Sequence, residues 1–329
     1  MQITLEGHAE PVPVEAGDTI LASLLRAGVP FPFSCQAGNC GTCKCELVSG
    51  DVLELEHSEH ALAPEERAKG IVLACRTQVW DDVVVRRIDA EELVLHPSRV
   101  MRCRVLEIEN LTHDIKGVRL AIEAGGPFIF SAGQYAQLEF APGLSRHYSM
   151  ASTPEDGELV FHIRHMPGGR TSAYVATQLK VGDKVKVSGP LGVAYLRDNH
   201  SGPVVMVAGG SGLAPIQSIL STMLGHGHQA PVTLYFGVRS ERDLYHEPLL
   251  KDLVARHSNF SYQVVLSEQK GAPKRRYGLV HEAIELPGTS DAVMAYLAGP
   301  PVMIEAATAL LASQGLAPRQ IHADAFYNQ

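Results

Sequence analysis

At 329 residues, 45% of them apolar, the chain is too long for one ordinary core and too apolar for a disordered one, so two or three globular domains are expected. The formal net charge is −8, and residues 1–90 hold 14 acidic against 7 basic side chains, so the acidity is concentrated there. That balance argues against nucleic acid as a partner, and the longest apolar runs, such as Val204 to Ala208, are far short of the roughly 20 residues a bilayer span needs. Six cysteines, with no basic and then apolar leader, predict a reducing, cytoplasmic setting.

Residues 1–90 begin with the alternating strand QITLEG and the extended PVPVEAG. A helical stretch follows in DTILASLLRAG, with Asp18 the expected N-cap and Gly28 the expected C′ residue. After a cysteine-bearing loop come the strand-like CELVSGDV, the acidic, helix-prone SEHALAPEERAKG, and VLACRTQVWDDVVVRRI with strand-like alternation. The expectation is a small mixed sheet packed on one helix. The stretch DAEELVLHPSRV, with Pro97, marks a crossing into a second domain over residues 98–198. There GVRLAIEA, GQYAQLEFA, GELVFHIRHM and GDKVKVSGP, short β-branched runs between Gly, Pro and Asp, predict an antiparallel barrel or sandwich. Over residues 202–329 strands alternate with helices, which predicts a parallel sheet covered on both faces.

Cys35, Cys40, Cys43 and Cys75 stand as C-x4-C-x2-C-x31-C, the ligand spacing of a plant-type [2Fe-2S] cluster. Tetrahedral zinc, a disulfide framework and inert buried thiols are the alternatives, and zinc sites seldom use this spacing. Cys45 lies two residues past Cys43 on a strand-like stretch, so spacing alone leaves it open as a ligand. The motif match assigns Cys43, and Cys45 and Cys103 are read as ordinary buried thiols.

In the second domain, Arg146, Tyr148 and Ser149 form R-x-Y-S. An arginine can clamp a phosphate, an aromatic ring can cover an isoalloxazine face, and a hydroxyl can reach the flavin N5 edge. The alternative makes Tyr148 a core residue and Arg146 a surface charge. Downstream, HIRHMPGGRTSAYV brings Gly168, Gly169, Thr171 and Ser172 to the start of a helix, which suits a diphosphate. In the third domain VVMVAGGSGLAP runs from a strand through Gly209, Gly210, Ser211 and Gly212 into a helix. Gly299 and Pro300 follow a later strand, at the carboxyl edge where open α/β folds bind ligands.

The order R-x-Y-S, G-G-S-G-L-A-P, A-G-P-P resembles the ferredoxin–NADP reductase superfamily. With the cysteine motif ahead of it, and with THDIKGVRL, SGPLGVAYLR, LYFGVRSERDLY and HADAFY, the whole chain resembles the reductase components of bacterial aromatic-ring dioxygenases, of the naphthalene-dioxygenase type. The resemblance implies a β-grasp ferredoxin domain, an antiparallel β-barrel flavin domain and a doubly wound parallel-sheet nucleotide-binding domain. It implies a [2Fe-2S] cluster on the four cysteines, FAD, NADH with NADPH use open, and a Rieske-type ferredoxin or an oxygenase component as electron acceptor. Carried over by motif, Arg146, Tyr148 and Ser149 hold flavin and Gly169, Thr171 and Ser172 its diphosphate. Gly209 to Gly212, Gly299 and Pro300 hold the dinucleotide, and Ile163, Arg164 and Arg239 complete the cofactor-binding set. Ser149, Tyr148 and Phe326 are the expected catalytic residues. Many relatives have Cys where this chain has Ala298, so a thiol there is no part of the mechanism. After the second strand of this domain come Arg239, Ser240, Glu241, Arg242 and Asp243, and later Ser267 and Lys270, so both charge signs bear on coenzyme choice, and NADH is expected with dual use open. Similar chains serve deoxysugar dehydrases or di-iron monooxygenases, which gives a second reading, and a redox-sensing protein is a third.

Overall fold

The computed structural model describes residues 1–33, 35–59, 61–88, 94, 96–272 and 275–327. Half of the expected crossing at DAEELVLHPSRV, residues 89–93 and 95, therefore falls outside the described residues, as do the last residues of the expected first and third domains. The chain divides into two compact units, residues 1–95 with 327–329, and residues 96–326.

In the first unit a five-stranded sheet runs Val12–Pro13, Gln2–Leu5, Val83–Arg87, Lys44–Ser49, Ile71–Leu73. Gln2–Leu5 and Val83–Arg87 pair in parallel, and the other pairs are antiparallel. The helix Ile20–Arg26 buries Ile20, Leu21 and Leu24, giving the β-grasp arrangement. Its N-cap is Thr19, whose hydroxyl accepts from Ala22 N (3.2 Å), not the expected Asp18, whose carboxylate pairs with Arg26. Gly28 does close the helix, at φ +73°. The expected helix in SEHALAPEERAKG is confined to Pro64–Arg67 among the described residues. The alternation of VLACRTQV is broken by a 3₁₀ turn at Ala74–Arg76, which Thr77 Oγ1 ties to Leu73 O (2.9 Å) and which presents Cys75.

The second unit holds two sheets. The first is antiparallel, ordered Leu144–Ser149, Tyr135–Ala141, Lys184–Leu191, Arg99–Asn110, Ile115–Ala124, Leu159–Arg164. Met150 bridges Phe161, and Ala151 N donates to Val160 O (2.7 Å), so the two edges meet and a barrel closes, removing the exposed edges. Its core includes Met101, Val105, Leu120, Leu138, Phe161 and the thiol of Cys103, all fully buried.

The other sheet is wholly parallel: Arg276–Tyr277, Phe260–Leu266, Val232–Val238, Val204–Gly209, Met294–Gly299, Ile321–Ala325. Val204, Met206 and Ala208 join one core with helix Leu213–Gly225, while Val205 and Val207 join the other with helix Pro301–Ser313. Burial on both faces is why VVMVA reads as a continuous apolar run rather than an alternating one. Strand order reverses between Val204–Gly209 and Met294–Gly299, so a ligand crevice is expected beyond their carboxyl ends.

Candidate functional site

In the first unit the loop carrying Cys35, Cys40 and Cys43 is bent by Gln36, Gly38 and Gly41, all at positive φ. A side chain at Gly38 would come within 2.7 Å of Arg76 Cγ, so glycine lets the loop close onto the turn that carries Cys75. Cys35 Sγ accepts from Ala37 N (3.4 Å) and Asn39 N (3.3 Å). The Cys40 thiol is hydrogen-bonded to Cys35 and the Cys43 thiol to Cys75. Cys40 and those amides pull the Cys35 thiol down to about 5, and Cys43 likewise favours the Cys75 thiolate. Cys40 and Cys43 are pushed up by the bonds they donate, by burial and by the neighbouring sulfurs. All six cysteines are free thiols, so no disulfide framework forms. Cys45, fully buried in Lys44–Ser49, is pushed up to about 12 by burial alone and has no sulfur among its causes. Four sulfurs thus gather with amide donors around them, a donor set that fits a cationic iron–sulfur core. Tyr327, in the same unit, donates to Asn39 O (2.6 Å) in this loop.

In the second unit, Leu144–Ser149 carries Arg146 and Tyr148 on one face and Ser149 on the other, by strand alternation. Arg146 is exposed. Tyr148 packs against the barrel core, and its hydroxyl is pushed up to about 12 by burial against the opposing pull of Arg146. Ile163 has its side chain in that core, so only its backbone is available to a ligand. Gly169 caps the helix Arg170–Thr177, and a Cβ there would strike Ser172 Oγ at 2.7 Å. The first helical bond is Ala173 N to Gly169 O (2.9 Å), so the amides of Arg170, Thr171 and Ser172 precede it and are open to an anion. The Ser172 hydroxyl accepts from Met166 N (3.1 Å) and so shapes the turn. These groups fit a flavin with its diphosphate.

Ser149 Oγ donates to Asp324 Oδ2 (2.9 Å), across 175 positions of sequence. Asp324 is buried, and burial pushes its carboxyl up to about 6 against the opposing effect of the Ser149 bond. Nothing in the motif reading singled out Asp324, although it lies two residues before Phe326 in HADAFY. Phe326 is half-buried, and its N–H donates to Gly299 O (2.9 Å).

A cavity of about 300 Å³ opens beyond the carboxyl ends of Val204–Gly209 and Met294–Gly299, lined by Gly209, Gly210, Pro300, Arg164, Arg239 and Asp114 among others. A Cβ on Gly209 would strike Met303 Sδ at 2.5 Å and one on Gly212 would strike Ala298 O at 2.1 Å. The glycine turn and the A-G-P turn are therefore in contact, which only glycine permits. Of the expected dinucleotide set, Ser211, Gly212 and Gly299 do not line this cavity. The glycine turn is also held by Tyr245 Oη, which contacts Gly210 O (3.3 Å) and His162 Nδ1 (3.0 Å). His162 is fully buried, and burial pushes it down to about 3, so it stays neutral. Asp114, His113 and Asp243 place ligand atoms within 4.8 Å of one another, but Asp114 and Asp243 each accept from a guanidinium, so the group serves ion pairing rather than metal binding.

A 2Fe-2S iron-sulfur cluster binding domain matches residues 3–79, an oxidoreductase FAD-binding domain residues 102–195, and an oxidoreductase NAD-binding domain residues 206–309. The chain is 42% identical to the ferredoxin–NAD(P)(+) reductase component of the naphthalene 1,2-dioxygenase/salicylate 5-hydroxylase systems of a Ralstonia species, over 99% of both chains. It is 40% identical to the reductase component of the Pseudomonas putida naphthalene 1,2-dioxygenase system, again over 99% of both. The crystal structure of an Amycolatopsis cytochrome P450 reductase superposes with a TM-score of 0.83 at 36% identity, covering 99% of this chain and 98% of that one. The ferredoxin reductase in carbazole 1,9a-dioxygenase gives 0.73 at 28% identity with the same coverage. No helix among the described residues is long and apolar enough to cross a membrane.

Proposed function

The chain belongs to the family of ferredoxin–NAD(P)(+) reductase components that join a 2Fe-2S domain to FAD- and NAD-binding oxidoreductase domains, and from that premise we propose how its residues divide the work and which partner it serves. Cys35, Cys40, Cys43 and Cys75 hold the cluster; Arg146, Tyr148 and Ser149 with Gly169, Thr171 and Ser172 hold FAD; Gly209, Gly210 and Pro300 receive the reduced dinucleotide in the cavity that Arg239 also lines. FAD supplies the one conversion that links a two-electron hydride donor to a one-electron acceptor.

The observation that carries this reading is the cavity on which Arg164 of the barrel converges with Gly209, Gly210 and Pro300 of the parallel sheet. It lies where strand order reverses, at the edge through which a nicotinamide can be brought to the barrel. Ser149 keeps its proton on Oγ, held by the Asp324 carboxyl, so a hydroxyl is presented in one orientation. Burial keeps Asp324 largely protonated below pH about 6, so the pair can hold a proton in a place closed to water. Phe326, whose backbone is tied to Gly299, is assigned to the flavin ring.

The electron acceptor is a Rieske-type ferredoxin or an oxygenase component of an aromatic-ring dioxygenase, and the surplus of acidic side chains in residues 1–90 suits docking on a basic surface. The test is the visible spectrum of the purified protein before and after anaerobic NADH. Flavin and iron–sulfur bands should both bleach within mixing, and a purified Rieske ferredoxin should then be reduced at catalytic protein concentration. Bleaching of the flavin alone would overturn the cysteine assignment; failure with the ferredoxin and with an oxygenase component would overturn the partner.

A further inference from the structure

We propose that Asp114, at the barrel turn before strand Ile115–Ala124, sets the coenzyme preference toward NADH by engaging Arg239, the cation placed to meet a 2′-phosphate. This rests on the reading of the cavity as the dinucleotide site. Arg239 follows Val232–Val238, the strand beside the glycine-turn strand, where α/β folds of this kind distinguish a ribose 2′-hydroxyl from a 2′-phosphate. Its Nη2 donates to Asp243 Oδ1 (2.7 Å) and to Asp114 Oδ2 (3.2 Å). The same Asp114 oxygen accepts from Arg164 Nε (2.9 Å), and Asp114 Oδ1 accepts from Thr112 Oγ1 (2.9 Å). Thr112 Oγ1 also accepts from the amides of Asp114 and Ile115, and His165 N donates to Asp114 O (2.7 Å), so the turn holds the carboxylate in place. On the other side Asp243 accepts from Ser240 N (3.0 Å) and Ser240 Oγ (2.7 Å), which engages the neighbouring hydroxyl as well.

Two guanidinium groups and two carboxylates line this part of the cavity, and their charges cancel. A 2′-phosphate would add about −1.5 to −2 and would have to draw Arg239 off both carboxylates. A ribose 2′-hydroxyl asks nothing of Arg239 and can donate to a carboxylate. Asp243 is local to the nucleotide sheet and helps cap its own turn. Asp114 comes from the barrel, so it can be changed without altering the loop that carries Arg239.

Asp114→Asn, which preserves shape and removes the charge, should shift binding of 2′,5′-ADP relative to 5′-AMP, measured by calorimetry on the full-length holoprotein, by about tenfold toward the 2′-phosphate, about 1.4 kcal/mol. The NADPH to NADH ratio of kcat/KM should rise in parallel, and Asp114→Asn combined with Arg239→Ala should return both to the wild-type values. An unchanged ratio in folded Asp114→Asn overturns the clamp. Should that variant not fold, Arg239→Ala answers alone: an engaged Arg239 predicts less than about a twofold loss of 2′,5′-ADP affinity, and a loss beyond about tenfold overturns the proposal. Val302→Trp, at an exposed position lining the cavity, tests the underlying reading, since unaltered affinity for both nucleotides would show that they bind elsewhere.

Discussion

The cysteine loop and the cavity at the carboxyl edge of the parallel sheet face the same problem, several ionisable groups packed close together, and solve it in opposite ways. Around Cys35, Cys40, Cys43 and Cys75 the groups are all of one kind. Repulsion is limited by dividing them into proton donors and acceptors, with Cys35 and Cys75 favoured as thiolates. Around Asp114, Arg164, Arg239 and Asp243 opposite charges alternate, each carboxylate accepting from a guanidinium. Burial tends to raise Asp114, but Thr112 and Arg164 outweigh it and hold the carboxyl below the usual carboxylate range; Ser240 and Arg239 do the same for Asp243. The first arrangement favours a cationic guest strongly. The second is balanced already, so an added anion is disfavoured while a neutral hydroxyl is not.

The contrast breaks most visibly at the sulfurs. Cys40→Ser removes a proposed ligand and the thiol hydrogen-bonded to Cys35. Iron content and the cluster absorption should fall to background and transfer to a ferredoxin should cease, while NADH-driven reduction of a two-electron dye persists through the second unit. Retained cluster absorption would remove Cys40 from the ligand set.

Next in size is the hydroxyl on the flavin side. Ser149→Ala deletes the donor to Asp324 and an oriented proton near the expected hydride path, so anaerobic bleaching of the flavin by NADH should slow by about a hundredfold. A rate within a factor of about two of wild type would reduce Ser149 to a packing role.

Asp324 extends the same comparison, being a carboxyl that meets burial without a cation. Its value near 6 lies above the ordinary 3.8, so its contribution to stability is fully present below pH about 3.8 and is lost as pH rises through about 6. Asp324→Asn can still accept from Ser149 but cannot titrate. The wild type should therefore lose about 2 kcal/mol relative to this variant between pH about 4 and pH about 7 in denaturant unfolding. A pH-independent difference would mean that a cation or water reaches the carboxyl.

What could be read in advance follows from how far apart in sequence each site is assembled. The four cysteines proposed as ligands lie within one small unit at a spacing that is itself the signal, and the glycines at 209, 210 and 299 mark turns that hardly another residue could make. A small mixed sheet on one helix, an antiparallel barrel or sandwich, and a parallel sheet covered on both faces were likewise legible in strand spacing and in the change to strand–helix alternation, while the names β-grasp and doubly wound came only with the family resemblance. Asp324, Asp114 and the His162–Tyr245 pair gave no such signal, because each acts through a partner distant in sequence that only the closed barrel and the parallel sheet bring near. Local rules also missed where two adjacent groups compete. Asp18 and Thr19 are both good caps, but Arg26 engages the Asp18 carboxylate and Thr19 takes the helix end. Thr77 bonding back to Leu73 O turns an alternating run into the 3₁₀ turn that presents Cys75.

The smallest effect is expected at the fifth cysteine of the first unit, and it is the sharpest control on the sulfur side of the comparison. Cys45 is as buried as any of the four and only two residues from Cys43, so spacing does not separate them. Its surroundings do: burial alone accounts for its raised thiol, with no neighbouring sulfur and no amide among the causes, and its strand pairs it with Val72 and Arg87. Cys45→Ala should keep full iron content and an unaltered cluster spectrum while costing about 1 kcal/mol of stability for the small void left behind. If the cluster is lost instead, the strand register that sends Cys45 into the core and leaves Cys43 to the loop is wrong, and the ligand set must be reassigned by that one step.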